Sequence, residues 1–504
     1  MADKNSRWAS YYYSGQEQKR AKLIFKIFFW LVIFLITASI FYGSFFVYKI
    51  YSTEKKINHE PNRPATILKT AKSLIAPSAI NLKGMERERI NILLLGIAGK
   101  GKPGQNLTDT IMIASINPRT NQVALFSIPR DFFVNIPEIG LQGKINSIYQ
   151  SGISSYKSNT EAADLVAQSI KDITALDMDY YIILNFDGFQ KIIDSVGGIN
   201  IMNERDIYDA SYPGPNYSYE KFELSKGFHH LDGAAALKYV RERHNDPEGD
   251  FGRAKRQQQV MQATKNKIFS TGIMLNVVAI NNLLDALGEA VETNINPDEF
   301  ESFLELSKKL DTQNINNSVL DAWNKDSLLK VSHVQYGNIR AFALVPRVGN
   351  YSEIQELAQN IFDLNKIKRR REAIAEEGAT IAIINQSGNL ALTGKIKKLL
   401  GDNLGYKNIF MLNSPDSALE NKAIVYDLTG GTKPFTLDEL VGKLPASLAS
   451  DVSSYVKNLA SARKADMIIV LGKDLVDIYN VEEGTIDDLN KQNDVQESAE
   501  FSKN

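Results

Sequence analysis

The residue types best suited to chemistry occur together in one stretch near the middle of the chain, residues 231–260. Asp232 is placed to cap a helix that begins in the following alanine-rich run and leads to Arg241 and Arg243. Residues 245–249 contain asparagine, proline and glycine and indicate a turn. Arginines gathered on either side of a turn could bind an anionic ligand.

A second helix is predicted to begin near Phe251–Gly252. Arg253, Arg256 and Gln257 then share one face of its first turn, because they are spaced i, i+3 and i+4. The helix dipole favours an anion at the N-terminus of a helix. Cations are therefore unfavourable in this first turn unless a negative group lies against them. The alternative is a solvated charged surface, which the five Lys and Arg against four acids over residues 241–256 also fit. The residues alone leave both interpretations open.

These helices need a scaffold, and the preceding sequence predicts a layered one. Ile90 begins a continuous apolar run that ends in glycines, which is typical of a strand buried on both faces. Strands and helices alternate after it, which indicates an α/β fold. The predicted elements are a hairpin of strands at 110–116 and 122–128, a helix at 160–173, a strand at 180–185 and a helix at 186–196. The hairpin ends at Pro129-Arg130-Asp131.

Composition excludes several classes of protein. The 504 residues are 43% hydrophobic and 23% charged with 15 prolines, so the chain folds and has room for about two to three domains. The 58 Lys and Arg against 59 Asp and Glu provide no positive field for duplex DNA, which disfavours a nucleic-acid partner. The absence of cysteine excludes disulfides, cysteine-ligated zinc, iron–sulfur clusters and thiol nucleophiles, but does not fix the compartment.

The N-terminal region predicts a membrane anchor. Residues 27–48 contain no charge over 22 residues, which at about 1.5 Å per residue spans a hydrocarbon core of about 30 Å. No small-residue cleavage site follows, so the segment should remain as a transmembrane helix rather than a removed signal. We favour residues 1–26 as a cytoplasmic tail, with the remainder outside the cell, although lysines on both sides weaken the charge asymmetry. Residues 49–88 are polar with three prolines and are predicted to form a stalk.

From Ile90 to Phe269 the sequence resembles the LytR-CpsA-Psr family of bacterial cell-envelope proteins. The motifs that carry the resemblance are LLLGIAG, LTDT, SIPRD, KINSIYQSG, VGGI and LDGAAALKYVRERH followed by DPEGDFGRAKRQQQV. Several ordered motifs at family spacing make a specific match. The resemblance implies a membrane-anchored phosphotransferase with an extracytoplasmic catalytic domain. It would move a glycopolymer from a polyprenyl-pyrophosphate carrier to peptidoglycan or another cell-envelope acceptor.

The resemblance also implies the site residues. The residues expected to bind the pyrophosphate are Arg130, Lys144, Arg241, Arg243, Arg253 and Gln257. Arg130, Asp131, Arg241 and Arg243 are expected to act in catalysis, because guanidinium forks bind phosphate oxygens bidentately and stay charged beside an apolar pocket. Asp131 or Asp109 could accept the acceptor's hydroxyl proton or orient Arg130. The alternative for each arginine is a surface salt bridge, for instance Arg243 with Glu248.

A metal is expected at Asp109, which matches the family's second metal-contacting aspartate. Mg²⁺ would neutralise charge on the phosphates and stabilise the leaving group. The family's first acid is missing, because Ala98 stands at that position. The affinity for Mg²⁺ should therefore fall. Lys100 or Lys102, in the same loop, could supply positive charge in place of the metal ion. The five histidines are not expected to form a metal site.

The expected fold class is α/β, with a central mixed β-sheet flanked by helices, a small C-terminal α/β domain and one preceding transmembrane helix. Amphipathic segments at 280–291 and 297–310 should complete a catalytic domain over residues 89–347, whose motif core is 90–269. A charged linker at 348–378 should lead to a C-terminal domain at 379–475, which resembles one attached to some family members. Its predicted order is β-α-β-β-α-β, and it shows no catalytic constellation. Residues 476–504 should be a disordered tail.

Two other functions remain open. The family has also been described as transcriptional attenuators, but a DNA-reading head is not visible in the 26 residues before the apolar segment. A non-catalytic binder of envelope lipids or glycans is the second alternative, and Ala98 is the feature that favours it.

Overall fold

The structure is a computed structural model that describes residues 82–136, 139–214, 218–242, 246, 249–270, 290–296, 299–322, 327–336, 339–413, 419–449, 454, 457–458, 463–479 and 482–483. The chain divides into two compact units, residues 1–78 and 79–504, and every described residue belongs to the second. The predicted tail 1–26 and transmembrane helix 27–48 lie outside the described residues. Within the described part of the chain, no helix combines the length and the apolar character needed to cross a bilayer.

A mixed six-stranded sheet forms the centre of the unit. Its strands are β1 (Ile90–Ile97), β2 (Thr108–Asn117), β3 (Gln122–Ile128), β6 (Tyr180–Asn185), β11 (Val291–Thr293) and β12 (Asp311–Val319). They lie in the order β11-β6-β1-β2-β3-β12. The pairs β1–β6 and β3–β12 are parallel, whereas β1–β2, β2–β3 and β11–β6 are antiparallel. The predicted mixed α/β fold is therefore confirmed, and the predicted strand at 180–185 agrees with β6 residue for residue.

Helices and smaller hairpins surround this sheet. The helices are α1 (Ile148–Tyr156), α2 (Asn159–Thr174), α3 (Phe186–Ser195), α4 (Gly233–Arg241), α5 (Gly249–Ser270) and α6 (Phe300–Lys309). The additional strands are β4 (Phe133–Ile136), β5 (Leu141–Lys144), β7 (Ile199–Asn203), β8 (Ile207–Pro213), β9 (Tyr219–Leu224) and β10 (Gly227–Leu231). Asp232 caps α4 as predicted, since its Oδ1 accepts a hydrogen bond from Ala235 N at 2.8 Å.

Both faces of the sheet are covered, which explains the continuous apolar sequence of β1. Leu93 and Leu95 point into a core shared with α1 and α2. Ile90 and Ile92 point to the opposite face, where Leu306 of α6 covers them. A strand buried on both sides needs apolar residues at successive positions rather than at alternate ones.

One edge of the sheet collects the ends of four strands. β1 and β6 are parallel, and β3 runs the same way because β2 is antiparallel to both of its neighbours. The carboxyl ends of β1, β3 and β6 therefore meet the amino end of β2. Asp109 on β2 and the turn after β3 that carries Arg130 lie at this edge.

Residues 82–88, predicted as the end of a stalk, belong to the folded unit. Leu82 is 3% exposed and packs with Ile90, and a short 3-10 turn follows at Met85–Arg87. Arg87 forms ion pairs with Asp177, at 3.3 Å, and with Asp179. The prolines and charges of the segment masked the apolar contacts of Leu82 and Met85 in the sequence.

The segment 348–378, predicted as a charged linker, is mostly helical. A hairpin of β13 (Leu329–Tyr336) and β14 (Ile339–Pro346) precedes it, and it contains α7 (Ser352–Gln359) and α8 (Asn365–Glu377). Ile354 of α7 is buried in the core beneath the central sheet, and Ile374 of α8 is buried in the core of the C-terminal sheet. The core beneath the central sheet therefore includes α7, and the expected end of the catalytic domain near residue 347 stays a prediction.

The C-terminal region is a second α/β layer. Its elements are β15 (Thr380–Asn385), α9 (Leu390–Lys398) with a π turn at Leu399–Asn403, β16 (Asn408–Leu412), β17 (Ile424–Asp427), α10 (Pro434–Lys443), β18 (Ser447–Ala449) and β19 (Met467–Leu471). The strands form a sheet in the order β16-β15-β19-β17-β18. The predicted β-α-β-β-α-β order is present with one extra short strand, β18. The division into a catalytic and a C-terminal domain stays a prediction.

The start of the predicted disordered tail is folded. α11 (Asp474–Tyr479) buries Tyr479 to 3% exposure, and β20 (Glu482–Glu483) pairs antiparallel with β13. The acidic residues that follow in the sequence led to the opposite prediction. The segment predicted as a helix at 280–291 lies almost entirely outside the described residues, and Val291 itself begins β11.

Candidate active site

The turn after β3 holds Arg130 and Asp131 by backbone hydrogen bonds. Phe132 N donates to Pro129 O at 3.1 Å, and Asn146 N donates to Arg130 O at 3.3 Å. Leu344 N of β14 donates to Asp131 O at 3.0 Å. The two charged side chains therefore project from a turn that is closed by its own hydrogen bond and held by two other segments of the chain.

Four charged side chains form a cluster on this turn, which we call the Arg130 cluster: Asp109, Arg130, Asp131 and Lys144. Arg130 Nη1 donates to Asp109 Oδ1 at 3.1 Å, and Arg130 Nε lies 3.5 Å from Asp131 Oδ2. Lys144 Nζ lies 2.7 Å from the other oxygen of Asp131. The side chains are 6% exposed for Asp131, 12% for Arg130, 17% for Lys144 and 39% for Asp109. The buried Asp131 carboxylate thus orients both cations, and Asp109 is the member most open to solvent.

Helix α5 brings two more of the predicted residues to β2. Arg253 Nη2 lies 3.5 Å from the carbonyl oxygen of Asp109, and Gln257 Nε2 donates to Thr110 Oγ1 at 2.8 Å. The two residues are one helical turn apart, so they face β2 together. Arg253 therefore contacts the backbone of a cluster residue, and Gln257 contacts the residue next to it on β2.

Arg256 does not share this role, although the spacing predicted one face. The helix begins at Gly249, earlier than predicted, and Arg256 is buried in the helix interface. Its guanidinium donates to Tyr239 O at 3.0 Å and to Glu242 O, and it forms an ion pair with Asp246. Arg256 therefore fastens the end of α4 to α5.

Arg241, at the end of α4, is held by aromatic rings. Its guanidinium lies 4.5 Å from the ring centroid of Phe186 and 5.7 Å from that of Tyr212. Phe186 directly follows β6, so Arg241 lies near the same edge of the sheet. Among the described residues no contact joins Arg241 directly to the Arg130 cluster, and Arg243 and Glu248 lie outside them. Burial raises the pKa of Tyr212 to about 12, so its ring is neutral beside Arg241 at physiological pH.

The loop after β1 contains Ala98, at the position where an acid was expected. Ala98 is 5% exposed, and Lys102 Nζ forms an ion pair with Asp187 Oδ2 at 2.6 Å. Lys102 is thus paired with a carboxylate at the start of α3. Among the described residues no three histidine or acidic side chains are grouped in a way that could hold a metal ion. The side chain of Asp109 is 39% exposed, so a Mg²⁺ ion here would take one protein oxygen from it and the other ligands from phosphate oxygens and waters.

Sequence reasoning missed Phe186, Tyr212 and Thr110. Phe186 had a usable signal, because it follows a predicted strand at the edge where the site lies. Tyr212 had none, since it reaches Arg241 from a separate hairpin. Thr110 lies inside the LTDT motif, but only the helix packing shows that it accepts from Gln257.

The arrangement brings together three cations, Arg130, Lys144 and Arg253, with the carboxylates of Asp109 and Asp131 and the amide of Gln257 nearby. The model of the LytR_cpsA_psr family matches residues 44–340, which is more than half of the chain. The chain belongs to the LytR-CpsA-Psr family.

Curated relatives agree with this assignment. The chain is 31% identical over 276 residues to the polyisoprenyl-teichoic acid–peptidoglycan teichoic acid transferase TagU of Bacillus cereus, over 54% of this chain and 81% of that protein. It is 32% identical over 294 residues to TagU of Oceanobacillus iheyensis, over 58% and 84%. Among solved structures, B. subtilis TagV is 24% identical with a TM-score of 0.42, over 55% of this chain and 97% of that one.

Proposed function

We propose that this protein is a membrane-anchored phosphotransferase. It moves a glycopolymer from a polyprenyl-pyrophosphate carrier to peptidoglycan or another cell-envelope acceptor. The single observation that carries the proposal is the Arg130 cluster, joined by Arg253 and Gln257 at the carboxyl edge of the sheet. Family membership and the transferase names of the curated relatives support it.

The chemistry is an in-line displacement at phosphorus. An acceptor hydroxyl oxygen bonds to the phosphorus that carries the glycopolymer, the bond from that phosphorus to the polyprenyl phosphate breaks, and the hydroxyl proton is released. Arg130, Arg241, Arg243 and Arg253 match the negative charge on the phosphate oxygens, with Lys144 and Gln257 as further donors. Asp131 orients Arg130 and Lys144 rather than taking the proton, because it is buried and paired with both.

We propose that Asp109 is the protein ligand of a Mg²⁺ ion. When bound, Mg²⁺ neutralises charge on the donor phosphates. Asp109 also holds Arg130 at 3.1 Å, so its carboxylate positions a cation whether or not an ion is bound.

The proposed location is the outer face of the cell membrane. The segment 27–48 would act as a single-pass anchor, with residues 1–26 cytoplasmic and the described unit extracytoplasmic. This places the site beside a lipid-borne donor and a cell-wall acceptor, and nucleic acid is not among the proposed partners.

A non-catalytic binder of envelope lipids or glycans is the second candidate. Ala98 favours it, because a buried methyl group stands where the family has an acid. Turnover distinguishes the two candidates, since a binder retains a labelled donor without converting it.

The test is turnover of a labelled polyprenyl-pyrophosphate-linked glycan by the full chain, with and without Mg²⁺. We expect conversion, and we expect Asp109→Asn to lose the stimulation by Mg²⁺. Arg130→Lys should weaken donor binding about tenfold to a hundredfold, because a point charge cannot reproduce a guanidinium fork shared with two carboxylates.

Arg369→Lys is the matched control for Arg130→Lys. Its side chain is 64% exposed and lies 3.4 Å from Asp363, so donor binding should stay unchanged. Arg370 would be a poor control, because it contacts Glu356 and Asp438. Equal donor affinity of the two lysine variants would contradict the pyrophosphate site. Donor binding without turnover would favour the second candidate, the non-catalytic binder.

A further inference from the structure

The hairpin β13–β14 lies between the C-terminal region and the Arg130 cluster. On one side, Leu344 of β14 donates its amide to Asp131 O at 3.0 Å and forms a parallel bridge with Phe132. Two positions earlier, the ring centroid of Phe342 lies 5.5 Å from Lys144 Nζ. Phe342 is 2% exposed, so this cation–π contact is shielded from water. β14 thus contacts the backbone of Asp131 and the side chain of Lys144.

On its other side, the hairpin is extended by the last described strand of the chain. β20 pairs antiparallel with β13, with Glu482 opposite His333 and Glu483 opposite Ser332. His333 is in turn opposite Phe342 across the hairpin, and their rings are 6.4 Å apart. A continuous row of neighbours therefore runs from Glu482 through His333 and Phe342 to Lys144.

A second contact ties the same hairpin to the C-terminal region. Tyr479, at the end of α11, donates its hydroxyl to Val348 O at 2.6 Å, just after β14 ends. Gly349 packs beside it, and an added Cβ at this position of positive φ would lie 2.4 Å from Ile478 Cγ2. The C-terminal region therefore holds the hairpin at the outer edge of β13 and at the end of β14.

We propose that β20 and the hairpin β13–β14 form a positioning device for the Arg130 cluster, with Phe342 as the positioning residue for Lys144. The C-terminal α/β region is then a structural support of the active site. An edge strand without a partner exposes unpaired backbone groups and is free to twist. Adding β20 makes β13 a central strand, which fixes β14 and so the direction of Asp131 and Lys144. This role rests on the proposed function for its effects on turnover and on pyrophosphate binding, but not for its effect on the Leu344 amide.

The test compares two double variants of the full chain. Glu482→Pro with Glu483→Pro removes both backbone N–H groups of β20 and disfavours strand pairing, whereas Glu482→Ala with Glu483→Ala removes the same charges and keeps the backbone. The first measurement is hydrogen exchange of the Leu344 amide, which needs no substrate. We expect faster exchange in the proline variant alone. The second is donor turnover, where we expect about a tenfold loss of kcat/KM in the proline variant, since small misplacements of reacting groups are costly.

Phe342→Leu tests the contact with Lys144 without altering β20. We expect weaker binding of inorganic pyrophosphate, with rescue by Phe342→Tyr, because tyrosine keeps the ring face. Phe303→Leu is the control, since this ring packs on Tyr180 at 5.0 Å on the opposite face of the sheet. It should lower stability and leave pyrophosphate binding unchanged.

The outcomes separate the two proposals. If wild-type protein does not turn over the donor, the proposed function fails, while Leu344 exchange still decides the coupling. If the proline and alanine variants show equal Leu344 exchange, the positioning role is overturned. It is also overturned if the wild type binds pyrophosphate and Phe342→Leu binds it like Phe303→Leu. If the proline variant does not fold, the pyrophosphate affinities of Phe342→Leu and Phe303→Leu decide whether the positioning role stands.

Discussion

Asp131 is the residue on which the candidate site depends most, although it contacts no expected ligand directly. It is 6% exposed in its side chain and shares its two oxygens between Lys144 and Arg130. A buried carboxylate with one cationic partner on each oxygen orients both, and its removal leaves two cations with no compensating charge at that position.

Asp131→Asn should therefore reduce both stability and donor binding. We expect a loss of about 3 kcal/mol in the free energy of unfolding, because an amide cannot compensate two partly buried cations. The control is Asp187→Asn, whose pair with Lys102 is exposed to 62% and 33% and should contribute under about 1 kcal/mol. Urea denaturation measures both, and an equal effect of the two variants would show that Asp131 has no special role.

Residue spacing could predict part of the site and no more. The i, i+4 spacing of Arg253 and Gln257 correctly indicates that they face the same strand. The same argument fails for Arg256, because the partners of a long side chain decide its direction, and here these are backbone carbonyls at the end of α4. Nothing in the local sequence reveals those carbonyls.

Helix α5 is the element that assembles the site, and its first turn depends on Gly252. An added Cβ at Gly252 would lie 2.0 Å from Asp246 Oδ2, the carboxylate that binds Arg256. Asp246 also pairs with Arg205. The glycine is thus required by close packing rather than by backbone conformation.

Gly252→Ala should destabilise the protein although alanine favours helices. Displacing Asp246 and its two arginines should cost about 1–3 kcal/mol, in the range of overpacked cores. Gly394→Ala in α9 is the matched control, because nothing lies within 4 Å of its added Cβ. That variant should gain about 0.5 kcal/mol from reduced freedom of the unfolded chain. Thermal unfolding compares the pair, and a stabilised Gly252→Ala would refute the packing argument.

The strong elements were predictable because each had two independent signals. β6 combined a charge-free apolar run with flanking helical patterns, and α4 combined Asp232 with an alanine-rich sequence. α8 and β20 were not predictable, because their sequences are mostly charged. The burial of Ile374 in the C-terminal core stabilises α8, and pairing with β13 stabilises β20. Both contacts involve residues distant in sequence.

At the scale of the whole unit, charged contacts connect the C-terminal α/β region to α7 and α8. Lys443 of α10 pairs with Glu356 of α7 at 2.6 Å, and Arg370 of α8 lies 3.4 Å from Glu439 of α10. Burial raises the pKa of Glu439, against the opposing effect of Lys443 and Arg370. The folded state therefore holds the proton of Glu439 more tightly than the unfolded chain does.

The raised pKa of Glu439 predicts how the stability of the folded state changes with pH. Because the folded state binds the extra proton, stability should fall as pH rises from the ordinary glutamate pKa of 4.5 through the raised value. Glu439→Gln should remove that slope, so its melting temperature should equal the wild type near pH 4 and exceed it at pH 7. Asp438→Asn, whose side chain is 71% exposed, is the control and should not show this gain. The raised pKa of Glu439 would be contradicted if the melting temperature of Glu439→Gln, taken relative to wild type, were lower at pH 7 than at pH 4.

The bond between Arg130 and Asp109 also has a consequence for selectivity. Because Arg130 Nη1 already donates to Asp109, an incoming anion that takes this donor has to displace the carboxylate. A singly charged ion such as chloride or acetate only exchanges one negative partner for another of equal charge. A pyrophosphate brings several charges and many acceptor oxygens, so it alone gains from the exchange. The free protein thus keeps a built-in competitor, which protects the arginine from the abundant small anions of its surroundings.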